Sequence, residues 1–157
     1  MEIIKGRING IGKRAAIVAS RTNEQIVRRL VEGASNELYR AGMEDGDIVL
    51  VEVPGAWEIA GCVEKLLKNS SDSFDMVICL GAVIRGDTPH FEYVSSQVAK
   101  TIAEQGVKSG LPVAFGVLTC DSLDQALERS GGKAGNKGEE AARAALEMSD
   151  IYRKIGS

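Results

Sequence analysis

Four short runs of apolar and β-branched residues, Ala15–Ala19, Ile48–Val53, Met76–Ile84 and Pro112–Leu118, constrain the fold more than any other feature of this chain. Each is continuously apolar rather than alternating, the pattern of parallel strands covered on both faces. The segments between and after them carry helical periodicity. Ile26, Leu30, Val31, Ala34 and Leu38 fall on one stripe; Ile59, Val63, Leu66 and Leu67 on a second; Phe91, Val94, Val98 and Ile102 on a third. A short helical segment around Leu123–Leu127 precedes a last one containing Ala141, Ala142, Ala145, Leu146, Ile151 and Ile155.

Local signals set the limits of these elements. Thr22-x-x-Gln25 and Ser122-x-x-Gln125 both match a capping box, in which a hydroxyl and an amide satisfy orphan backbone donors. Gly42 stands where a left-handed residue closes the first helix. Alternating strands and helices specify a parallel sheet between helix layers, joined by right-handed crossovers. The fold class is therefore α/β, a flavodoxin-like three-layer sandwich with a four-stranded parallel sheet. The 157 residues make a single domain, 1–157, long enough to bury a core. Ile3–Ile8 has strand character but precedes the first βα unit, so it needs a sheet edge to pair with, its own or a neighbour's.

Composition excludes several classes of function. A net charge of −3 offers no basic field for nucleic acid. The apolar run Met76–Ile84 is too short to span a bilayer. No secretory h-region precedes Lys5, and the chain is expected in the cytoplasm. Cys62, Cys79 and Cys120 are odd in number and far apart, as expected of buried reduced thiols. The triplets Asn69-Ser70-Ser71 and Arg85-Gly86-Asp87 are then coincidental. Gly10-x-Gly12-x-x-Ala15 precedes a strand rather than following one, so it cannot act as a dinucleotide fingerprint. No Asp/Glu/His cluster has metal-ligand spacing.

Ligands of open α/β sheets bind beyond the carboxyl ends of the strands. Those ends here are Ser20-Arg21-Thr22-Asn23, Pro54-Gly55-Ala56-Trp57-Glu58, Arg85–His90 and Thr119-Cys120-Asp121, and they hold the only Trp and the only His of the chain. His90, at a strand–loop–helix junction, reads either as a cap or surface residue or as an acid/base, since imidazole titrates near neutrality. Gly86, Asp87 and Thr88 lie at a helix N-terminus, where free N–H groups and the dipole favour phosphate. Because the Asp87 carboxylate would oppose an anion, backbone contact is the sensible form there. Arg129 either clamps phosphate in bidentate fashion or is a solvated surface residue. Trp57 and Glu58 either serve core packing and the helix dipole, or line an aromatic pocket and accept from sugar hydroxyls. Gly131–Gly138, rich in glycine and lysine, is an inter-helix turn.

Six ordered segments resemble the lumazine synthase family along essentially the whole chain. They are Val31–Ala34, Val53–Ile59, Gly81–Tyr93, Phe115–Thr119, Gln125–Arg129 and Gly135–Ala142. The resemblance implies condensation of 5-amino-6-ribitylaminouracil with 3,4-dihydroxy-2-butanone 4-phosphate, through a Schiff base, phosphate loss and ring closure, without a cofactor. By the same resemblance His90 is the acid/base. Thr88, the Gly86-Asp87 backbone and Arg129 hold the phosphate. The loop residues Thr22 and Asn23, with Ala56, Trp57, Glu58 and the backbone of Ala82, Val83 and Ile84, bind the pyrimidine. Phe115 and Arg129 come from the adjacent subunit, and Lys137 occupies a lysine position typical of the family. The implied assembly is a homopentamer, with 60-subunit icosahedral shells suggested by the short Gly131–Gly138 connection, and with riboflavin synthase as an associate. The chain departs from the family at Ser20-Arg21-Thr22-Asn23, where the third position is usually aromatic and stacks on the heterocycle. Thr22 cannot stack, which leaves a shell-forming or flavin-binding homologue as the alternative. An electron-transferring flavodoxin is excluded by the lack of a phosphate-binding first loop.

Overall fold

The structure, a computed structural model, describes residues 1–70 and 73–156. Its elements in chain order are β1 (Ala15–Ser20), α1 (Glu24–Arg40), β2 (Ile48–Val53), α2 (Ile59–Ser70), β3 (Met76–Ile84), α3 (His90–Ser109), β4 (Val113–Cys120), α4 (Leu123–Arg129), β5 (Ser130–Gly132), β6 (Gly135–Asn136) and α5 (Lys137–Gly156). Short 3-10 turns precede β2 and α2, at Asp45–Asp47 and Ala56–Glu58. The main sheet is parallel, in the order β2-β1-β3-β4, so the strand order reverses between β1 and β3. Ser71 of the Asn69-Ser70-Ser71 triplet lies outside the described residues.

The pleat sends alternate residues of each strand to opposite layers. Ala15, Ile17, Met76, Ile78 and Leu80 pack under α1, α4 and α5, with Leu30, Leu38 and Leu146. Ala16, Val18, Val77 and Cys79 pack under α2 and α3, with Ile59, Val63, Val98 and Ile102. Leu30 is fully buried, so its truncation to Ala would cost about 2–5 kcal/mol. Burial on both faces holds for β1 and most of β3. It fails on the two edge strands, where Leu50 of β2 and Phe115 of β4 are exposed.

Helices α1 and α5 approach closely because position 138 is glycine; a Cβ there would overlap the Leu30 carbonyl. The seam also holds Glu37, which is buried and paired with Arg40 at 2.7 Å and Arg143 at 3.0 Å. Burial pushes the Glu37 carboxyl up, but hydrogen bonds from Arg143 and Arg40 outweigh it and leave the group below its usual range. Gly42 ends α1 as expected, at φ 100°, with Gly42 N–H bonded to the Tyr39 carbonyl and Met43 N–H to that of Leu38.

Ile3–Ile8, which needs a sheet edge of its own or of a neighbour, forms no strand within its own protomer. There the segment runs along α5, with Arg7 N–H donating to Asp150 at 2.8 Å and Lys154 donating to the Lys5 carbonyl at 2.7 Å. Two expectations need correction. Gly131–Gly138 is not a plain turn: Ser130–Gly132 and Gly135–Asn136 pair as a small antiparallel hairpin. Cys62 is half-buried, whereas Cys79 and Cys120 are buried; all three are free thiols. Among the described residues no helix is long and apolar enough to cross a membrane.

Candidate active site

The reversal of strand order between β1 and β3 opens a crevice at the carboxyl edge of the sheet. A cavity of about 490 Å³ occupies it, lined by Thr22, Asn23, Gly55, Ala56, Trp57, Ala82, Val83, Ile84, His90, Tyr93 and Val94. Its volume falls in the range of small-molecule sites.

Hydrogen bonds between the strand ends shape this crevice. Arg21 N–H donates to the Val53 carbonyl at 2.8 Å, carrying the β1–β2 ladder one residue beyond the strand. Asn23 then turns left-handed (φ 59°) and starts α1, its carbonyl accepting from Ile26 and Val27. Its side-chain amide donates to the Ala82 carbonyl at 2.9 Å. The capping box expected at Thr22 is absent. Asn23 holds the cap position without a side-chain cap bond, and the Thr22 hydroxyl donates to the Pro54 carbonyl at 3.0 Å. At Ser122 the cap is present: Ser122 Oγ accepts from Gln125 N–H at 3.2 Å. The Gln125 side chain reaches one residue further back than a box requires, to Asp121 N–H at 2.8 Å.

Gly55 lets the next loop approach the first, since a Cβ there would sit 3.1 Å from a Glu58 carboxylate oxygen and 3.4 Å from the Thr22 hydroxyl. Glu58 is thus beside the crevice, though it does not line the cavity. Trp57 does line it, with 60% of its surface exposed. The backbone then closes into the 3-10 turn through Glu58 N–H and the Gly55 carbonyl.

On the β3 side, Arg85 N–H donates to the Cys120 carbonyl, and the Arg85 side chain pairs with Asp121 at 2.8 Å and Glu92 at 3.2 Å. Those hydrogen bonds, Asp121 first, raise its already high pKa. Its guanidinium also lies over the Phe91 ring, 4.6 Å from the centroid. Arg85 is therefore committed to bracing the loop. Gly86, Asp87 and Thr88 are exposed, ahead of the first turn of α3, and do not line the cavity. His90, the first residue of α3, does.

Three candidates lie elsewhere on the protomer. Phe115 is on edge strand β4, 46% exposed. Arg129 ends α4, donating to the Gln125 carbonyl at 3.1 Å. Lys137 begins α5 and pairs with Glu140 at 3.2 Å. None of the three lines this cavity. Among the described residues no group of three His, Cys, Asp or Glu side chains is placed to hold a metal ion.

Tyr93 and Val94 are lining residues that the strand-end argument passes over, because they belong to α3 rather than to a loop. Helical spacing was the available signal: positions three and four after His90 share its face.

Comparison with known proteins agrees with the resemblance in sequence. The family profile described as 6,7-dimethyl-8-ribityllumazine synthase matches residues 12–153. A 6,7-dimethyl-8-ribityllumazine synthase of Helicobacter hepaticus is 51% identical over 158 residues, covering 100% of both chains. One of Syntrophus aciditrophicus is 50% identical over 153 residues, covering 98% of each. Matched along nearly its whole length and identical at half its positions to full-length relatives, this chain belongs to the 6,7-dimethyl-8-ribityllumazine synthase family.

Proposed function

We propose that the chain condenses 5-amino-6-ribitylaminouracil with 3,4-dihydroxy-2-butanone 4-phosphate, giving 6,7-dimethyl-8-ribityllumazine, water and phosphate in riboflavin biosynthesis. The observation that carries this reading is the cavity at the strand-order reversal, which combines an apolar, aromatic lining with the single imidazole of the chain. Asn23, Ala56, Trp57 and Ala82–Ile84 hold the pyrimidine, with Thr22 beside it and Glu58 accepting from the ribityl hydroxyls. His90 moves protons between the condensing amine and carbonyl. The phosphate rests on the Gly86-Asp87 backbone and the Thr88 hydroxyl, where the N-terminus of α3 favours an anion. Arg129 and Phe115 of an adjacent protomer complete the site, and Lys137 adds a further positive charge. Much of the acceleration comes from holding two reactive partners together.

This arrangement requires an oligomer. The N-terminal segment joins the sheet of a neighbouring protomer in a homopentamer, and twelve pentamers form a 60-subunit shell able to associate with riboflavin synthase. Exposed Ile3, Ile4 and Ile8 on the segment, and exposed Leu50 and Phe115 on the edge strands, support this reading. The enzyme works in the cytoplasm.

Incubating the pure protein with both substrates should give lumazine absorbance and stoichiometric phosphate. Flavin binding without product would instead establish the non-catalytic homologue. Light scattering on a chain starting at residue 10 tests the assembly; an unchanged mass would defeat strand exchange.

A further inference from the structure

We infer that Tyr93 is a substrate-binding residue whose ring stacks on the pyrimidine, supplying from α3 the aromatic face that position 22 does not. The inference rests on the proposed reaction for its ligand and on three observations for its residue. First, the Thr22 side chain is small and its hydroxyl is committed to the Pro54 carbonyl, so the β1 loop presents no ring to the cavity. Second, Trp57 and Tyr93 both line the cavity from separate elements, the turn after β2 and the second turn of α3. Third, Tyr93 is 70% exposed, a largely apolar ring left in water at a cavity that Ala82, Val83 and Ile84 also line.

The other rings of this region are occupied or absent. Phe91 lies against the Arg85 guanidinium, and Phe115 is outside the cavity. Val94, one residue on, packs with the α2–α3 core and fixes the rotation of α3. That rotation keeps Tyr93 on the same face as His90, so the ring that holds the heterocycle and the imidazole share one rigid helix. Stacking between planar rings then fixes the plane of the pyrimidine relative to the proton-transfer group.

The test uses the wild-type protein, Tyr93→Ala and Tyr93→Phe, with KM measured separately for each substrate. Quenching of Trp57, the sole tryptophan, by the pyrimidine alone gives a second readout. Tyr93→Ala should raise the pyrimidine KM and weaken quenching roughly 3- to 10-fold. The keto-phosphate KM should stay within about twofold, and Tyr93→Phe should match wild type. An unchanged pyrimidine KM in Tyr93→Ala overturns the inference, as does an equal rise for both substrates. A Phe variant as weak as the Ala variant also overturns it, by assigning the effect to the hydroxyl. Failure of the wild-type protein to make lumazine would sink the proposed reaction, while the quenching titration would still decide the role of Tyr93.

Discussion

The side-chain amide of Asn23 bonds the carbonyl of Ala82 at 2.9 Å, tying the loop after β1 to the end of β3 across the strand-order reversal. Asn23 also holds φ 59°, a conformation that asparagine tolerates better than most residues with a side chain. Two substitutions separate these contributions. Asn23→Gly keeps the conformation and loses the bond, for a cost of about 0.5–1.5 kcal/mol. Asn23→Ala adds the left-handed penalty, about 1–2 kcal/mol more. Thermal denaturation at fixed protein concentration should rank them wild type, Gly, Ala, and both variants should raise the pyrimidine KM. Equal stability of the Gly and Ala variants would show that the backbone at position 23 relaxes.

The central strands β1 and β3 were legible because parallel strands buried on both faces must be continuously apolar, and the limits of β2 and β3 follow directly from their runs. The cavity was legible in outline, because the ends of β1, β2 and β3 converge wherever strand order reverses. Thr22 was misread because a capping box is a local pattern. It cannot register that the end of β2 offers the Pro54 carbonyl to the same hydroxyl. Ile3–Ile8 has strand composition, but composition cannot register the hydrogen bond from Arg7 N–H to Asp150, more than 140 positions away. Tyr93 was hidden by its neighbours, since the apolar stripe of α3 runs through Val94, and Tyr93 flanks it.

Replacing Thr22 by Phe tests whether a third ring improves the site. A stacked pair contributes about 0.5–1.5 kcal/mol beyond area burial, so pyrimidine binding should tighten roughly 2- to 10-fold. The phosphate site should be unaffected. The stability cost is that of one exposed hydrogen bond to Pro54, about 0.5–1 kcal/mol, and not of a helix cap. Trp57 fluorescence reports binding in both proteins. Weaker binding by the Phe variant would mean that the cavity has closed around the new ring.

His90→Ala should lower kcat by about 10²-fold or less, with the keto-phosphate KM nearly unchanged. The motive is that the imidazole lines the cavity at the start of α3, while positioning by the other lining residues persists. Steady-state kinetics with each substrate varied in turn is the measurement. Wild-type kcat and KM in the variant would remove His90 from the chemistry.

Arg129→Ala should weaken the keto-phosphate site by about 1.5–3 kcal/mol, the range for a hydrogen bond to a charged group. In its own protomer Arg129 caps the end of α4 and does not line the cavity, so the effect requires a neighbour's site. Mixed oligomers sharpen the test: co-assembly of Arg129→Ala with His90→Ala chains should regenerate some fully intact sites. Activity of the mixture no greater than the weighted mean of its parents would place Arg129 outside the shared site. A rise in the pyrimidine KM alone would assign it to the other substrate.

Asp150 sets the course of the N-terminal segment, and its removal should release that segment. Its carboxylate accepts from Arg7 N–H and from Lys154, each at 2.8 Å, and from Arg153 at 2.9 Å, while Lys154 also holds the Lys5 carbonyl. Between them Gly6 lies so close to α5 that a Cβ would overlap the Glu147 carbonyl. Hydrogen bonds from Lys154 and Arg153 hold the Asp150 carboxyl well below the usual carboxylate range, against the effect of burial. A depressed carboxyl stabilises the folded state fully above its unfolded pKa, about 3.9, and loses that contribution as pH falls through the folded value. The wild-type protein should therefore melt above Asp150→Asn by a constant margin from pH 7 to about 5, and the margin should shrink below about pH 4. Hydrogen exchange of the N-terminal peptide should be faster in the variant at pH 7, and trypsin should cut sooner after Lys5 and Arg7. If exchange and cleavage match wild type, the segment is held by contacts other than those of Asp150. If they rise without loss of oligomer mass, docking on α5 and assembly are independent.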